Sequence, residues 1–382
     1  MTAAVLLLAV AGTLLQSLNV ALGRDPGFEP TLVTTMRIEP PAAAYPRPSL
    51  PQLVDVILQE IDRLPGVAQV AATTRIPLGR SETWRGYKPA GAPDPGFDDG
   101  FFATWLSITP GYLDTIGISI AHGRDFLETD NSSGAPVVII NETLARRAFG
   151  RADVVGEQVH IWTDEEQPRT VVGVVANARN RSLFGAEIPA EYYAPFAQAP
   201  FSRISLVVRQ ATDSAEVVPL LRGALLEVDA QLPIFDVRTM ETVIAEDTAS
   251  RRTSSRFLGI LAAVALALAI FGLYGVVTYA TSSRTHELGV RIALGANRGS
   301  IQALVVRQGM LLGGLGTILG LAVAQVATRA LSTFAPEIAP EGSTWTIGLV
   351  ITVTVLATTG LATYMPARRA GRTDPLSSLR ES

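Results

Sequence analysis

The stretch THELGVRIALGA, Thr285 to Ala296, lies between two long uncharged runs, Phe257 to Ser283 before it and Gln308 to Thr328 after it. Arg284, Glu287, Arg291 and Arg298 fall in or beside it. Each such charge at the centre of a bilayer costs about 3 kcal/mol on insertion scales, so the stretch belongs at the membrane surface and the two runs belong in the hydrocarbon. Leu288, Ile292 and Leu294 are apolar while Glu287 and Arg291 are charged, a pattern for a short amphipathic helix stopped by Gly295. From composition alone two readings stand. One is a helix that lies on lipid or docks into a partner, and the other is a basic loop that only satisfies the positive-inside rule.

The chain has 382 residues and a mean hydropathy of +0.29, long for one domain and apolar for a soluble one, which predicts a membrane part and a folded part outside it. It has no cysteine, which excludes a disulfide, a thiolate metal site and a cysteine nucleophile. His122, His160 and His286 lie in different segments, so no metal cluster is expected. Lys88, the single lysine, follows Tyr87, and the chain therefore contains no G-x-x-x-x-G-K-[ST] loop to cradle phosphates. If ATP drives this protein, another polypeptide binds it; neither enzymatic activity nor a cofactor is expected of this chain.

Residues 1–23 carry no charge and are long enough for a first membrane helix. A signal peptide is the alternative, but the basic n-region and short apolar core are missing. Residues 24–256 have the Pro and Gly punctuation of a globular α+β domain, with strands expected at Leu32–Ile38, Val67–Thr73, Val137–Ile140, Thr170–Val175 and Ile204–Val208. Helices are expected at Leu50–Leu64, Glu142–Phe149 and Ser214–Val228, the last capped by Asp213 or Ser214. At about 230 residues the segment has room for two subdomains. No proline or glycine lies between Pro233 and Gly259, which predicts an unbroken helical stalk from near Thr239 into a second span at 257–280. The charged segment occupies 281–308, and Ser300 is the expected cap of the helix entering a third span at 309–331. There Gly309, Gly313, Gly316 and Gly320 place small residues on one helix face, which favours close helix packing in lipid. An outer loop at 332–344, a fourth span at 345–365 bracketed by Trp345 and Tyr364, and a tail at 366–382 complete the reading.

THELGVRIALGANRGSIQALVVRQG resembles the cytoplasmic coupling segment of the FtsX/MacB-type ABC transporter permeases, usually an R-T-x-E-I-G-I-R-x-A-L-G-A run. DPGFEP (Asp25–Pro30), LPGVAQVAATTRIPL (Leu64–Leu78), ITPGYLDTIGISIAHGRDF (Ile108–Phe126), VVIINETLARRAFG (Val137–Gly150) and VVGVVANARNRSLFG (Val171–Gly185) resemble the MacB-like periplasmic domain of the same permeases in order and spacing, and PARRAGRTDP resembles their ending. The likeness is strongest to the second half of the bacterial duplicated orphan permeases, in which one helix, an ectodomain and three helices occur twice. Only one such copy is present, without the cytoplasmic stretch that precedes it in the family, so the start is expected to lie inside what was once a longer permease. The resemblance implies that Thr285, Glu287, Leu288, Gly289, Arg291, Leu294, Gly295 and Ala296 contact an ABC ATPase subunit. It further implies a second permease protomer and, outside the membrane, an adaptor.

The 281–308 loop carries four arginines and one acid, the tail after Tyr364 four arginines and two acids, and the 335–341 loop two acids and no base. By the positive-inside rule both termini are cytoplasmic and the ectodomain is outside, and the resemblance implies the inner membrane of a bacterial cell. The total charge of −4 then leaves the ectodomain near −8, which argues against a nucleic-acid partner. The uncharged stretches 1–23, 257–283, 308–328 and 346–363 contain no Asp, Glu, Lys, Arg or His, which disfavours an ion-coupled carrier. Asp98 with Asp99, and Glu165 with Glu166, lack EF-hand spacing. The expected function is a permease that passes ATP-driven movement to its ectodomain, in export or mechanotransmission. The alternatives are an ATPase-independent binding ectodomain on a membrane anchor and an inactive fragment of a duplicated permease.

Overall fold

The computed structural model describes residues 2–79, 83–92, 101–161, 167–184, 187–213, 217–283, 297–334 and 344–370. The chain divides into two compact units, an ectodomain unit (24–183 and 187–248) and a membrane unit (1–23, 184–186 and 249–382).

In chain order the ectodomain elements run β1 (Val33–Ile38), α2 (Leu50–Asp62), β2 (Val67–Thr73), β3 (Trp84–Pro89), β4 (Phe102–Ile108), α3 (Tyr112–Ile116), β5 (Ile120–Gly123), β6 (Val137–Asn141), α4 (Glu142–Phe149), β7 (Gln158–Ile161), β8 (Arg169–Val175), β9 (Glu191–Pro195), β10 (Ile204–Gln210), α5 (Val217–Val228) and β11 (Ile234–Thr239), with α1 (Thr2–Leu22) preceding them. The sheet order β11-β1-β10-β2, with every neighbour antiparallel, is that of a split β-α-β pair in which α2 and α5 are the crossovers. Alternation along the strands sends Met36, Ile38, Leu206 and Val208 into a core with Val54, Ile57 and Ile61 of α2 and Leu221 and Leu225 of α5. The intervening residues Thr35, Arg37 and Ser205 belong to the other face.

A second body is inserted between β2 and β10. β3, β7, β8, β6, β9 and β4 pair in that order, β9 with β4 in parallel, and β4 also pairs β3 antiparallel, so the six strands close on themselves. Closure removes the edges that an open sheet of these short strands would expose. Its core gathers Tyr87, Trp105, Val138, Ile140, Val171, Val174 and Tyr192 with Leu144 and Ala145 of α4. Asn141 starts α4, as its side-chain oxygen accepts from Leu144 N at 2.9 Å and also from Glu191 N at 3.0 Å. The two bodies join where Thr73 pairs Ile108 and Thr74 N donates to Ser107 O at 3.0 Å.

The membrane unit contains α1, most of α6 (Met240–Ser282), α7 (Arg298–Phe334) and α8 (Thr344–Ala370). All four helices are long and apolar enough to cross a membrane. The 43 residues of α6 form one helix, its part before Gly259 free of proline and glycine, and Thr239 caps it by accepting from Thr242 N at 3.2 Å. Phe257, Ile260, Leu268, Phe271 and Tyr279 of α6 are exposed, the face expected to meet lipid. One expectation needs correcting. α7 is capped by Asn297, whose side-chain oxygen accepts from Gly299 N at 3.3 Å, while the Ser300 hydroxyl donates back to Asn297 O at 2.6 Å. The helix also starts well before the uncharged run, because Arg298 and Arg307 are tolerated in a helix and only their depth in lipid is restricted. The described part of α5 runs Val217–Val228, and Ser214, one of its two expected caps, lies outside the described residues.

Candidate functional site

The sequence singles out the segment joining α6 to α7. Thr285, Glu287, Leu288, Gly289, Arg291, Leu294, Gly295 and Ala296 all lie outside the described residues. What is described is the pair of helix ends from which the segment hangs. α6 finishes with its own hydroxyls on its last carbonyls: Thr281 Oγ1 donates to Val277 O at 2.6 Å, Ser282 Oγ to Tyr279 O at 3.0 Å and Ser283 Oγ to Ala280 O at 3.2 Å. Tyr279 O also accepts from Ser283 N at 2.9 Å, while Ala280 O is one of the last four carbonyls, for which the helix itself supplies no amide. α7 begins at the Asn297 cap.

Behind these ends Leu273 and Val277 of α6, Val305 of α7 and Ala367 of α8 form one buried apolar cluster, with Val306 packed against it. The two ends are therefore fastened to each other and to α8. A force applied to the segment between them acts on three helices together, since packed side chains move as a body.

The small-residue row of α7 lies deeper in the membrane unit. A side chain at Gly309 would enter the space of Thr363, one at Gly313 would bring Cβ to 2.7 Å from Thr359 Cγ2, and one at Gly320 would bring it to 2.5 Å from Val5 Cβ. Gly313 and Gly320 are buried and Gly316 is half-buried beside them, while Thr317 and Ala324 extend the buried line. The row thus faces α8 and α1 of the same chain. Sequence reasoning found the glycines by their spacing but missed Thr359 and Thr363, whose matching interval of four was the available signal. Both are fully buried, and the Thr363 hydroxyl donates to Thr359 O at 2.9 Å within its own helix, which hides its polarity from the lipid.

Among the described residues no group of acids and histidines has the arrangement to hold a metal ion. The asparagines of the three Asn-x-Ser/Thr triplets, Asn131, Asn141 and Asn180, all have structural work: Asn131 Oδ1 accepts from Ser133 N at 3.0 Å, Asn141 caps α4, and Asn180 Nδ2 donates to Glu191 Oε2 at 2.7 Å inside the fold.

The family described as MacB-like periplasmic core domain matches residues 1–224, and the family described as FtsX-like permease C-terminal matches residues 259–375. The chain is 25% identical over 288 residues to the uncharacterized ABC transporter permease YknZ of Bacillus subtilis, covering 73% of this chain and 70% of that protein. It is 26% identical over 283 residues to the macrolide export ATP-binding/permease protein MacB of Escherichia coli strain K12, covering 70% of this chain and 42% of MacB. Among solved structures, the periplasmic region of MacB from Actinobacillus actinomycetemcomitans aligns with a TM-score of 0.40 at 16% identity, over 58% of this chain and 95% of that one. The extracellular domain of YknZ aligns with a TM-score of 0.35 at 18% identity, over 53% of this chain and all of that one.

Proposed function

The chain belongs to the ABC transporter permeases that combine a MacB-like periplasmic core domain with an FtsX-like C-terminal domain, and from that premise we propose that it is a mechanical coupler. In this reading a separate cytoplasmic ATPase grips Thr285–Ala296, and ATP-driven displacement of that segment passes through α6 to the ectodomain, for export or mechanotransmission. The family implies an ATPase and a membrane setting. A second permease protomer, an extracytoplasmic adaptor and cytoplasmic termini belong to the proposal.

The observation that carries it is the attachment of the segment. Its flanking helix ends share one apolar cluster with α8, and one of the two flanking helices is the unbroken α6 that begins in the ectodomain unit. A loop serving only as a topological anchor needs neither feature. Glu287 is the acid of an otherwise basic segment, and a charge-assisted contact from it to an ATPase arginine would contribute about 2 kcal/mol once desolvated.

The test is Glu287→Lys in the full chain, with pull-down of the cognate ATPase and ATP hydrolysis in the reconstituted complex. Insertion is expected to persist, since the change makes the segment more basic, while ATPase association or coupled turnover falls about tenfold. Unchanged association and unchanged turnover would reduce Thr285–Ala296 to a topological anchor and leave an ATPase-independent ectodomain as the better reading.

A further inference from the structure

Leu8, Leu15 and Val20 of α1, Gly259 of α6, and Ile347 and Val350 of α8 line a groove of about 670 Å³ within the membrane unit. At its inner end is the cluster in which Val5 and Ala9 of α1 pack with Ile351 and Val355 of α8. At its other end Trp345 is 85% exposed, as a belt tryptophan at the edge of the hydrocarbon would be. From Leu8 to Asn19, which also lines it, α1 rises about 17 Å, against about 15 Å for one acyl layer of a bilayer. The groove is therefore as long as one leaflet is deep. Leu15 and Val350 are exposed, so it opens sideways toward whatever surrounds these membrane-length helices.

Its polarity is graded along that depth. The inner part, with Leu8, Val350 and Ile351, is apolar. Nearer the ectodomain end of α1, Gln16 and Asn19 line the groove from one helix face, and neither side chain hydrogen-bonds a described residue. Amides left this way in a membrane are costly, so they call for an acceptor from outside the chain. Further out, Arg252, Arg256 and Gly259 fall on one stripe of α6, at intervals of four and three. Gly259 lines the groove, and helix side chains lean toward the N-terminus, which carries both guanidiniums beyond the groove's mouth. Both arginines are exposed, and neither forms an ion pair among the described residues. The positive-inside rule supplies no reason for cations at this end of a span.

We propose that the groove seats one anionic phospholipid of the surrounding membrane. An acyl chain lies along α1 and α8, the ester carbonyls accept from the Gln16 and Asn19 amides, and the phosphate meets Arg256 and Arg252. A zwitterionic lipid fits the first two levels but brings its own cation toward the arginines. A span from a second copy of this chain would fill the apolar level and bring the arginines no acid, since 257–283, 308–328 and 346–363 contain neither Asp nor Glu. The site rests on membrane insertion and is independent of the ATPase reading. Because Gly259 belongs to α6, occupancy bears on the helix that leaves the ectodomain.

The experiment is native mass spectrometry of the full chain in detergent, titrated with phosphatidylglycerol and with phosphatidylcholine of the same acyl chains. One phosphatidylglycerol per chain is expected, bound about tenfold more tightly than phosphatidylcholine. Arg252→Gln combined with Arg256→Gln should erase that preference and leave phosphatidylcholine binding unchanged; both positions are exposed, so the variant keeps the fold. At Gly259 a Cβ would meet nothing within 4 Å, so Gly259→Phe fills the groove without displacing a helix and should weaken both lipids about tenfold. The proposal is overturned if phosphatidylglycerol binds no better than phosphatidylcholine, if the double variant keeps the preference, or if Gly259→Phe, eluting as the parent does, binds phosphatidylglycerol like the parent. Loss of a dimer in Gly259→Phe with lipid binding intact would overturn it too, and assign the groove to a second copy.

Discussion

Gly313 of α7 lies against Thr359 of α8 so closely that a Cβ on the glycine would stand 2.7 Å from the threonine methyl and 2.8 Å from its hydroxyl oxygen. In lipid the hydrophobic effect does not hold two helices together, so close backbone approach and dispersion have to. Gly313→Leu is expected to force α7 and α8 apart, costing about 3 kcal/mol, and to lower the yield of monodisperse protein in detergent gel filtration. Gly320→Leu acts likewise against Val5 of α1. At Gly314 a Cβ meets nothing within 4 Å, so Gly314→Ala serves as the neutral control. Wild-type elution and unfolding temperature for Gly313→Leu would show that the row tolerates bulk.

Arg124 and Asp130 give the ectodomain an acid-sensitive contact. Arg124 Nη1 and Nη2 donate to Asp130 at 2.7 and 3.2 Å, and Leu127 N donates to the same carboxylate at 2.9 Å. Burial by itself raises the Asp130 pKa, but the Arg124 bonds and the Leu127 amide outweigh it and hold the carboxyl below its ordinary value. A depressed folded-state pKa adds stability above the unfolded value, near pH 4, and that stability is lost as pH falls through the folded pKa. Asp130→Asn should therefore destabilise the chain by about 1 kcal/mol at neutral pH and by less below pH 4, Arg124 being partly exposed. Thermal unfolding at the two pH values checks this; an equal penalty at both would mean that the amide disrupts packing instead.

The parts of the fold that the sequence announced are those governed by local pattern. Val67–Thr73 and Glu142–Phe149 run over the expected residues, since a continuous β-forming run and a capped amphipathic turn are local signals. β9 went unseen because it begins with Glu191 and ends with Pro195, residues that disfavour strands in isolation. Its glutamate is accommodated by Tyr193 of the same strand and by Asn180 and Arg75, which arrive from other parts of the ectodomain. Closure of the six strands depends on β4 meeting β9, a pairing between segments more than eighty residues apart that no local period encodes. The same limit hid Arg75: TTRIPL reads as a strand exit, and only the assembled sheet shows that its guanidinium is enclosed.

The arginine distribution predicts that Ser133, in the ectodomain unit, and Ser300, at the start of α7, lie on opposite sides of the membrane. Both are exposed, so Ser133→Cys and Ser300→Cys offer single labelling sites in a chain with no cysteine of its own. An impermeant maleimide applied to intact cells should label only Ser133→Cys, and both should react after lysis. Labelling of both in intact cells would overturn the orientation.

The mechanical reading makes its sharpest demand on α6. Ser254 lies within the proline-free, glycine-free run, near its end, and is exposed, so Ser254→Pro alters the helix backbone without removing a core contact. Proline there deletes one backbone hydrogen bond and clashes with the preceding turn, a local cost of about 3 kcal/mol and a kink. The ectodomain core and the cluster of Leu273, Val277, Val305 and Ala367 lie outside that turn, so folding, insertion and ATPase association should survive. What should disappear is any ATP-dependent change in the labelling rate of a cysteine placed at Ser133, measured in the reconstituted complex, while ATP hydrolysis continues. If the ATP-dependent change persists through the kinked helix, α6 is not the element that carries movement, and the coupling route has to be sought in α7 and α8.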